Sequence, residues 1–216
     1  MDFQIDWDRE SRTGVPEAVF CARKTTAQIE AIIGLAHAAG RRLLFTRLGQ
    51  AEYAALSRPS TAVLDYEPLS STAILGGIAD LTADGVGIVA AGTSDLSVAR
   101  EAARTLAFAG HGAPVIADVG VAGLWRLMDR IEEIRKFRVL IAVAGMEGAL
   151  FSVLAGLVSA PVIAVPTSVG YGVANGGTTA LHAALASCSP GLVVVNIDNG
   201  YGAASAAIKL LAAASR

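Results

Sequence analysis

The stretch VLIAVAGMEGALFSVLAGLVSAPVIAV, residues 139–165, decides the fold. It begins with an apolar run at 139–143, continues with a helix-like segment at 147–158 and ends with a second apolar run at 162–165. Both apolar runs consist almost entirely of Val, Ile, Leu and Ala, which is typical of strands covered on both faces. A strand, a helix and a second strand of this kind predict a parallel β-α-β unit with a right-handed crossover.

The same alternation of strand and helix occurs five times after residue 85. Predicted strands occupy 86–91, 114–117, 139–143, 162–165 and 192–197, and predicted helices occupy 94–109, 123–137, 147–158, 176–188 and 202–213. The sequence therefore predicts an α/β fold with a doubly wound parallel sheet. Five strands favour a flavodoxin-like strand order.

The first 84 residues differ from the rest because they are richer in arginine. A predicted helix at 24–39 and predicted strands at 42–46 and 62–65 indicate a small α/β appendage, preceded by an extended, charged arm. We predict two parts: residues 1–84 form the arm and appendage, and residues 85–216 form the sheet domain.

Composition narrows the class of protein. The chain has 216 residues, a net charge of −2, 53% hydrophobic residues and 17% charged residues. High hydrophobicity excludes a disordered chain. The lack of a basic excess argues against nucleic acid as a partner, since a phosphate-binding surface needs one. Because so few charged groups are available to cover a large solvent-exposed surface, part of that surface is expected to be buried between copies of the chain. The composition therefore predicts a homo-oligomer.

The chain offers no sign of a membrane or secreted protein. Residues 148–197 carry no Asp, Glu, Lys or Arg, but Pro161, Pro166 and the run at 170–172 divide this region into pieces too short to span a bilayer. The polar start at 1–12 indicates no secretory signal, and two cysteines are too few for a disulfide framework. We expect a cytoplasmic protein.

Candidate binding residues follow the strands, because ligands of an open parallel sheet lie beyond the carboxyl ends of its strands. The first such loop contains Gly92, Thr93, Ser94 and Asp95. These residues either seat a phosphate at a helix N-terminus or simply cap that helix. Asp118 follows the second strand, where its carboxylate binds a ribose hydroxyl or a magnesium ion, or caps the next helix.

The later loops offer further polar groups. Glu147 begins a predicted helix, where the helix dipole favours a negative charge, so its role is either structural or chemical. The loop at 166–177 is rich in glycine and hydroxyl groups and is too long for a simple turn, which favours a binding role. The loop at 196–202 again places polar groups at a strand end.

Several common sites are excluded or disfavoured. No Gly-x-x-x-x-Gly-Lys-Ser/Thr sequence is present, which excludes a P-loop. No Gly-x-Gly-x-x-Gly follows a strand at the usual place, which disfavours a Rossmann dehydrogenase, and we expect no redox cofactor. Separated histidines and the absence of Cys-x-x-Cys give a zinc site little support. From the residues alone, Cys188 is an inert small hydrophobe, since it ends a predicted helix whose dipole disfavours a thiolate there.

Taken together, the loops resemble the PurE family of aminoimidazole ribonucleotide carboxylases, and more closely the related LarB family of nickel-pincer nucleotide cofactor biosynthesis. The segments that carry the resemblance are AGTSDL at 91–96, DVGVAG at 118–123, AGMEGAL at 144–150, PVIAVP at 161–166, PTSVGYG at 166–172, SC at 187–188 and VVNIDNG at 194–200. PurE enzymes carry Ser-Ala-His-Arg after the second strand, with an essential histidine. Here DVGV stands at 118–121, which argues against purine-pathway chemistry.

The resemblance to LarB implies a substrate and two reactions. The substrate is nicotinic acid adenine dinucleotide, which gains CO2 at pyridine carbon 5 and loses AMP by hydrolysis of its phosphoanhydride. Cys188 is then the nucleophile: its thiolate adds at carbon 4, so that carbon 5 of the neutral ring can capture CO2. Glu147 is the implied proton-handling residue.

The resemblance also implies the binding residues and partners. Substrate contacts are expected at Gly92, Thr93, Ser94, Asp95, Asp118, Val119, Gly145, Met146, Ser168, Tyr171, Gly172 and Asp198, with Arg12, Glu17 and Lys24 reaching across from the arm. Mg²⁺ is the implied cofactor, with Asp118 and Asp198 as candidates for holding it, and an octamer is the implied assembly. Two alternatives remain open: a PurE-type carboxylase or mutase acting on an imidazole ribonucleotide, and a non-catalytic nucleotide-binding module.

Overall fold

The computed structural model describes residues 3–78, 80–82 and 85–214. The boundary that the sequence predicts at Asp84 lies outside these residues. Two β-sheets, one in each predicted part, organise the chain.

The second sheet is the predicted doubly wound one. Its strands are β5 (Val86–Ala90), β6 (Val115–Ile116), β7 (Val139–Ala144), β8 (Val162–Pro166) and β9 (Leu192–Val194), and the helices that follow them are α5 (Leu96–Phe108), α6 (Leu124–Ile134), α7 (Ala149–Leu157), α8 (Thr178–Leu185) and α9 (Gly200–Ala214). All pairings are parallel in the order β6-β5-β7-β8-β9, which confirms the flavodoxin-like prediction.

Each face of this sheet has its own core. The face covered by α5 and α9 buries residues such as Ile88, Leu106 and Leu211, and the face covered by α6, α7 and α8 buries residues such as Leu140 and Leu154. β5, β7 and β8 are buried along their whole length, which explains their continuous apolar sequence.

The N-terminal part forms a mixed sheet of four strands. It contains α1 (Arg9–Thr13), β1 (Ala18–Phe20), α2 (Thr26–Ala38), β2 (Leu43–Thr46), α3 (Gln50–Ala54), α4 (Arg58–Ala62), β3 (Leu64–Glu67) and β4 (Thr72–Leu75), with the strand order β1-β2-β4-β3. Thr25 caps α2 by accepting a hydrogen bond from the backbone of Gln28.

Two predictions for this part need correction, and two strands were missed. The arm is not wholly extended, because α1 forms within it. The strand predicted at 62–65 starts only at Leu64, because Ala62 is the last residue of α4 and Val63 is its C-cap. β1 and β4 were not predicted at all.

The outer side of α5 joins the two parts. Arg100 pairs with Glu67 of β3, and Arg104 lies 2.8 Å from the Asp65 carboxylate. Phe108 packs with Leu44 and Ile74 of the N-terminal sheet. Within the described ranges, every helix is too short or too polar to cross a membrane.

Candidate active site

A cavity of about 310 Å³ opens at the carboxyl ends of β5, β6 and β7. The strand order changes direction between β5 and β7, and parallel sheets bind ligands at such a switch point. The lining includes seven of the predicted site residues: Gly92, Ser94, Asp95, Asp118, Gly145, Met146 and Glu147.

Three residues at this edge adopt left-handed backbone conformations, which residues other than glycine rarely adopt. Asp118 has φ 58°, Met146 has φ 52° and Asp198 has φ 57°, and they follow β6, β7 and β9 respectively. Such conformations cost on the order of 1 kcal/mol each and occur often at functional sites. Their clustering at one sheet edge marks that edge as a site independently of the cavity.

Gly145 makes the tight turn after β7 possible. A Cβ at this position would lie 2.1 Å from the Val169 carbonyl oxygen and 2.7 Å from Oγ1 of Thr167. The backbone N–H of Met146 donates to the same Val169 carbonyl at 2.8 Å. The loops after β7 and β8 therefore touch backbone to backbone, and only glycine fits between them.

Asp95 ties three loops together at the base of the cavity. Its side chain is buried and accepts hydrogen bonds from the Gly92 N–H at 2.9 Å, from the Thr167 hydroxyl at 2.6 Å and from the Gly145 N–H. Burial raises the pKa of this carboxyl, and those hydrogen bonds oppose the shift. Asp95 therefore holds the first loop in place, but its side chain makes no hydrogen bond that caps α5. Thr93 and Ser94 are both exposed, and Ser94 lines the cavity whereas Thr93 does not.

Asp118 has a cationic partner that sequence reasoning missed. Nη1 of Arg126, in the first turn of α6, lies 2.5 Å from its carboxylate, and both residues line the cavity. A guanidinium at this position can bind a phosphate or carboxylate group of a ligand. Its only sequence signal is its place at the start of the helix that follows the Asp118 loop.

The remaining residues of these loops differ in accessibility. Glu147 is exposed and lines the cavity, and it lies two residues before α7 rather than at the start of that helix as predicted. Val119 packs in the core and its N–H donates to the Ala90 carbonyl at 3.3 Å, so its side chain does not reach the cavity.

The residues predicted after β8 and β9 lie on adjacent loops outside the cavity lining. Asp198 accepts a hydrogen bond from the Ser168 N–H at 2.8 Å, which joins these two loops. Tyr171 is 77% exposed and Gly172 is also exposed, so both are free to contact a ligand or a second chain.

The predicted arm residues do not meet the cavity within one chain. Arg12 pairs with Asp6 at 2.5 Å, and Glu17 pairs with Arg9 at 3.1 Å. Glu17 and Lys24 instead line a separate cavity of about 420 Å³ in the N-terminal part.

Cys188 is exposed and does not line the cavity of its own chain. α8 ends at Leu185, so the prediction that Cys188 ends a helix is wrong. Pro190 disfavours a helical conformation of the residue before it, and the Ser187 hydroxyl accepts the Ser189 N–H at 3.2 Å in a turn. Cys188 therefore lies three residues beyond the last residue of α8.

The Cys188 segment, residues 186–191 between α8 and β9, is nevertheless attached close to the cavity. The hydroxyls of Ser187 and Ser152 are 2.7 Å apart, and the Ser189 hydroxyl donates to the Ser152 carbonyl at 2.9 Å. Ser152 lies one turn along α7 from Ala149, which lines the cavity. Among the described residues, no group of three or more His, Cys, Asp or Glu is arranged to hold a metal ion.

Comparisons with known proteins agree with this architecture. Residues 2–76 match the LarB/PurE-like N-terminal domain family, and residues 85–216 match the AIR carboxylase family. An uncharacterized protein of Methanocaldococcus jannaschii is 40% identical over 93% of this chain and 80% of its own length. The N5-carboxyaminoimidazole ribonucleotide mutase of the same organism is 36% identical over 58% of this chain and 77% of its own length.

These matches bear out the resemblance seen in the loop motifs. The cavity lies at the strand ends where those motifs stand, and the two family matches together span both sheets. The chain belongs to the LarB family, a group of carboxylase-type proteins related to PurE.

Proposed function

We propose that this chain carboxylates nicotinic acid adenine dinucleotide at pyridine carbon 5 and hydrolyses its phosphoanhydride, giving pyridinium-3,5-biscarboxylic acid mononucleotide and AMP in nickel-pincer nucleotide biosynthesis. The observation that carries the proposal is the ion pair between Asp118, in the loop after β6, and Arg126, in the first turn of α6. The DVGV sequence at 118–121 stands where PurE enzymes carry their essential histidine, and Asp118 there pairs with Arg126, so PurE chemistry lacks its histidine in this chain. A pyridinium ring instead needs a nucleophile to add to it before its carbon 5 can attack CO2. Cys188 is exposed and able to act as one.

The carboxylation balances without an external oxidant. The Cys188 thiolate forms a bond to carbon 4, and the ring electrons move to the pyridinium nitrogen, which becomes neutral. Carbon 5 then donates an electron pair to CO2, forming the new carbon–carbon bond. Loss of the carbon 5 proton, with Glu147 as acceptor, and expulsion of the thiolate restore the aromatic pyridinium.

Residues of the cavity and of the exposed loop after β5 have matching roles in this proposal. Arg126 binds an anionic group of the dinucleotide, and the exposed hydroxyls of Thr93 and Ser94 contact phosphate or ribose. Asp95 and Gly145 keep the three loops together around the ligand.

In the proposed assembly, the Cys188 that reaches a ligand in the cavity belongs to a second copy of the chain. Beside the cavity, α6 exposes Leu124, Trp125 (67% exposed) and Met128. Near the Cys188 segment, Leu185 and Val193 are also exposed. Contact between these two apolar surfaces on neighbouring copies would bury both and bring Cys188 to the neighbour's cavity. The proposed assembly is a homo-oligomer, an octamer by resemblance.

The described residues do not fit a resident magnesium site. Mg²⁺ prefers several oxygen ligands, whereas Asp118 is paired with Arg126 and Asp198 with the Ser168 N–H. The proposed steps need no residue to hold this ion, and adding a chelator to the assay tests whether the reaction requires it.

The test incubates the protein with the dinucleotide, labelled bicarbonate and Mg²⁺. We expect AMP in the chromatogram and a mononucleotide carrying the label in the mass spectrum. Cys188→Ala should lower carboxylation by at least about a thousandfold, as loss of a covalent nucleophile does. The matched control Cys21→Ala changes a buried cysteine outside the site and should retain the activity.

The related mutase supports one competing function, an imidazole ribonucleotide mutase or carboxylase. Turnover of N5-carboxyaminoimidazole ribonucleotide, with no AMP released from the dinucleotide, would establish that function instead. Binding of adenine nucleotides without turnover of either substrate would indicate a binding module.

A further inference from the structure

Arg47 connects the N-terminal sheet to the edge of the second sheet. It follows the last residue of β2 with φ 55°, a left-handed conformation unusual for arginine. This conformation accompanies a side chain that leaves its own sheet: Nε donates to Glu101 of α5 at 3.2 Å, and Nη2 donates to the backbone carbonyl of Asp198.

Glu101 makes the contact rigid. Its side chain is only 5% exposed, and its other carboxylate oxygen accepts the Tyr201 N–H at 3.3 Å at the start of α9. Burial raises the pKa of this carboxyl, and Arg47 is the group that most opposes the shift. Removal of Arg47 would leave a buried carboxylate without its cation.

Asp198 carries the contact on to the loop after β8. Its carbonyl meets Arg47, its carboxylate accepts the Ser168 N–H at 2.8 Å, and its N–H donates to the Pro166 carbonyl at 2.8 Å. Thr167, between these two residues, hydrogen-bonds to Asp95 at the base of the cavity. An unbroken series of contacts therefore runs from the N-terminal sheet to the candidate active site.

We propose that Arg47 is a positioning residue, through which the N-terminal part holds the 196–200 loop and, by way of Asp198, the Thr167–Ser168 loop in the geometry that the ligand requires. The effect of Arg47 on catalytic turnover rests on the proposed function, whereas its effect on the geometry of the two loops does not. Positioning by Arg47 gives the N-terminal part a role at the site although Arg12, Glu17 and Lys24 lie elsewhere.

Other arginines between the two parts provide a matched control. Arg104 contacts Asp65 and Thr72, and it touches neither of the two loops. Arg47→Ala and Arg104→Ala each remove one cation between the same two parts, but Arg47 faces the buried Glu101 and Arg104 the exposed Asp65. A merely structural role of Arg47 therefore predicts a general loss of stability in Arg47→Ala without a local change in the two loops. Arg47→Lys keeps the charge but loses the two-pronged geometry.

The experiment compares these variants by hydrogen exchange and by kinetics. We expect Arg47→Ala to speed exchange in peptides covering 167–170 and 196–202 and to lower kcat/KM about 10- to 100-fold, mostly through kcat. Added guanidinium ion should restore part of the activity, whereas Arg47→Lys should restore little. Arg104→Ala should leave exchange in both peptides unchanged and kcat/KM within about twofold.

Equal exchange and equal kinetics in Arg47→Ala and Arg104→Ala would overturn the positioning role. Exchange does not require turnover, so it separates this inference from the proposed function. If the wild-type protein fails to turn over the dinucleotide, the proposed function fails, and the exchange of the two peptides still decides the role of Arg47.

Discussion

Two regions of the molecule differ in how completely a single chain forms them. One is the cavity at the ends of β5, β6 and β7, and the other is the exposed segment around Cys188. Around the cavity, Asp95 is 4% exposed and joins three loops, and Gly145 fits where no side chain could. Cys188 is exposed, lies between α8 and β9, and its neighbours are held by hydrogen bonds to Ser152.

This difference suggests a division of roles. A binding site for phosphate and ribose needs fixed donors, which a single folded chain can supply. In the proposed reaction, the nucleophile approaches the ring after the substrate has bound, so another copy of the chain can deliver it. The exposed apolar side chains of α6 and those near Cys188 give that delivery a physical basis, since each surface lacks a partner within the described chain.

The largest expected effect comes from mixing two inactive variants. If Cys188 and Glu147 act at one site but come from different copies, co-assembled Cys188→Ala and Glu147→Gln chains form some sites with both native residues. Random assembly should restore roughly a quarter of the wild-type rate, hundreds of times above either variant alone. The measurement is AMP release and label incorporation by co-expressed chains carrying two different affinity tags.

A matched mixture gives the control. Cys188→Ala combined with Cys188→Ser contains no native nucleophile and should stay inactive in any arrangement. A mixture of the Cys188 and Glu147 variants that is equally inactive would show that both residues act from the same chain, and the cavity and the Cys188 segment would then have to approach each other within it.

A second prediction concerns the reactivity of the two cysteines. Cys21 is 1% exposed, and burial raises the pKa of its thiol to about 12, so it holds almost no thiolate at pH 8. We expect iodoacetamide at pH 8 to modify Cys188 at least about 100-fold faster than Cys21, because the exposed thiol can be reached whereas burial keeps the Cys21 thiol protonated and covered. Peptide mass spectrometry measures both rates.

Urea is the control for that comparison, since unfolding should bring the two rates close together. Equal protection of both thiols in the folded protein would mean that Cys188 is covered in solution. The dinucleotide should slow modification of Cys188 and leave Cys21 unchanged.

The fold was predictable where burial dictates the sequence. β5, β7 and β8 are buried throughout, so their apolar runs stand out, and the helices between them follow. β1 has three residues and only Val19 is buried, so it carries no such signal. β9 ends at Val194, three residues before its predicted end, and the Asn196 side chain accepts the Ile197 N–H in the turn beyond.

The candidate site was predictable where it depends on loop motifs. Gly92, Asp95, Asp118 and Gly145 follow strands directly, so topology places them together. Arg126 reaches the site from a helix, and Arg47 reaches its edge from the other sheet. Their contacts depend on the direction in which these long side chains point after folding. No spacing in the sequence encodes that.

The smallest effect is expected from Arg126→Gln. The substitution keeps hydrogen-bonding capacity but removes the charge that faces Asp118 and an anionic ligand. We expect KM for the dinucleotide to rise about tenfold with little change in kcat, because a lost charge-assisted contact present throughout the reaction weakens binding uniformly. Steady-state kinetics at several salt concentrations measures this, and the salt dependence of KM should become shallower.

Arg130→Gln is the matched control, since Arg130 lies on the same helix and pairs with Glu133 outside the cavity. The double variant Asp118→Asn with Arg126→Gln separates two causes of the higher KM. If Asp118 without its partner repels the anionic ligand, removing its charge should recover part of the affinity. If the double variant binds no better than Arg126→Gln, the loss comes from a direct contact between Arg126 and the ligand, which would place that guanidinium among the groups that one chain fixes at the cavity.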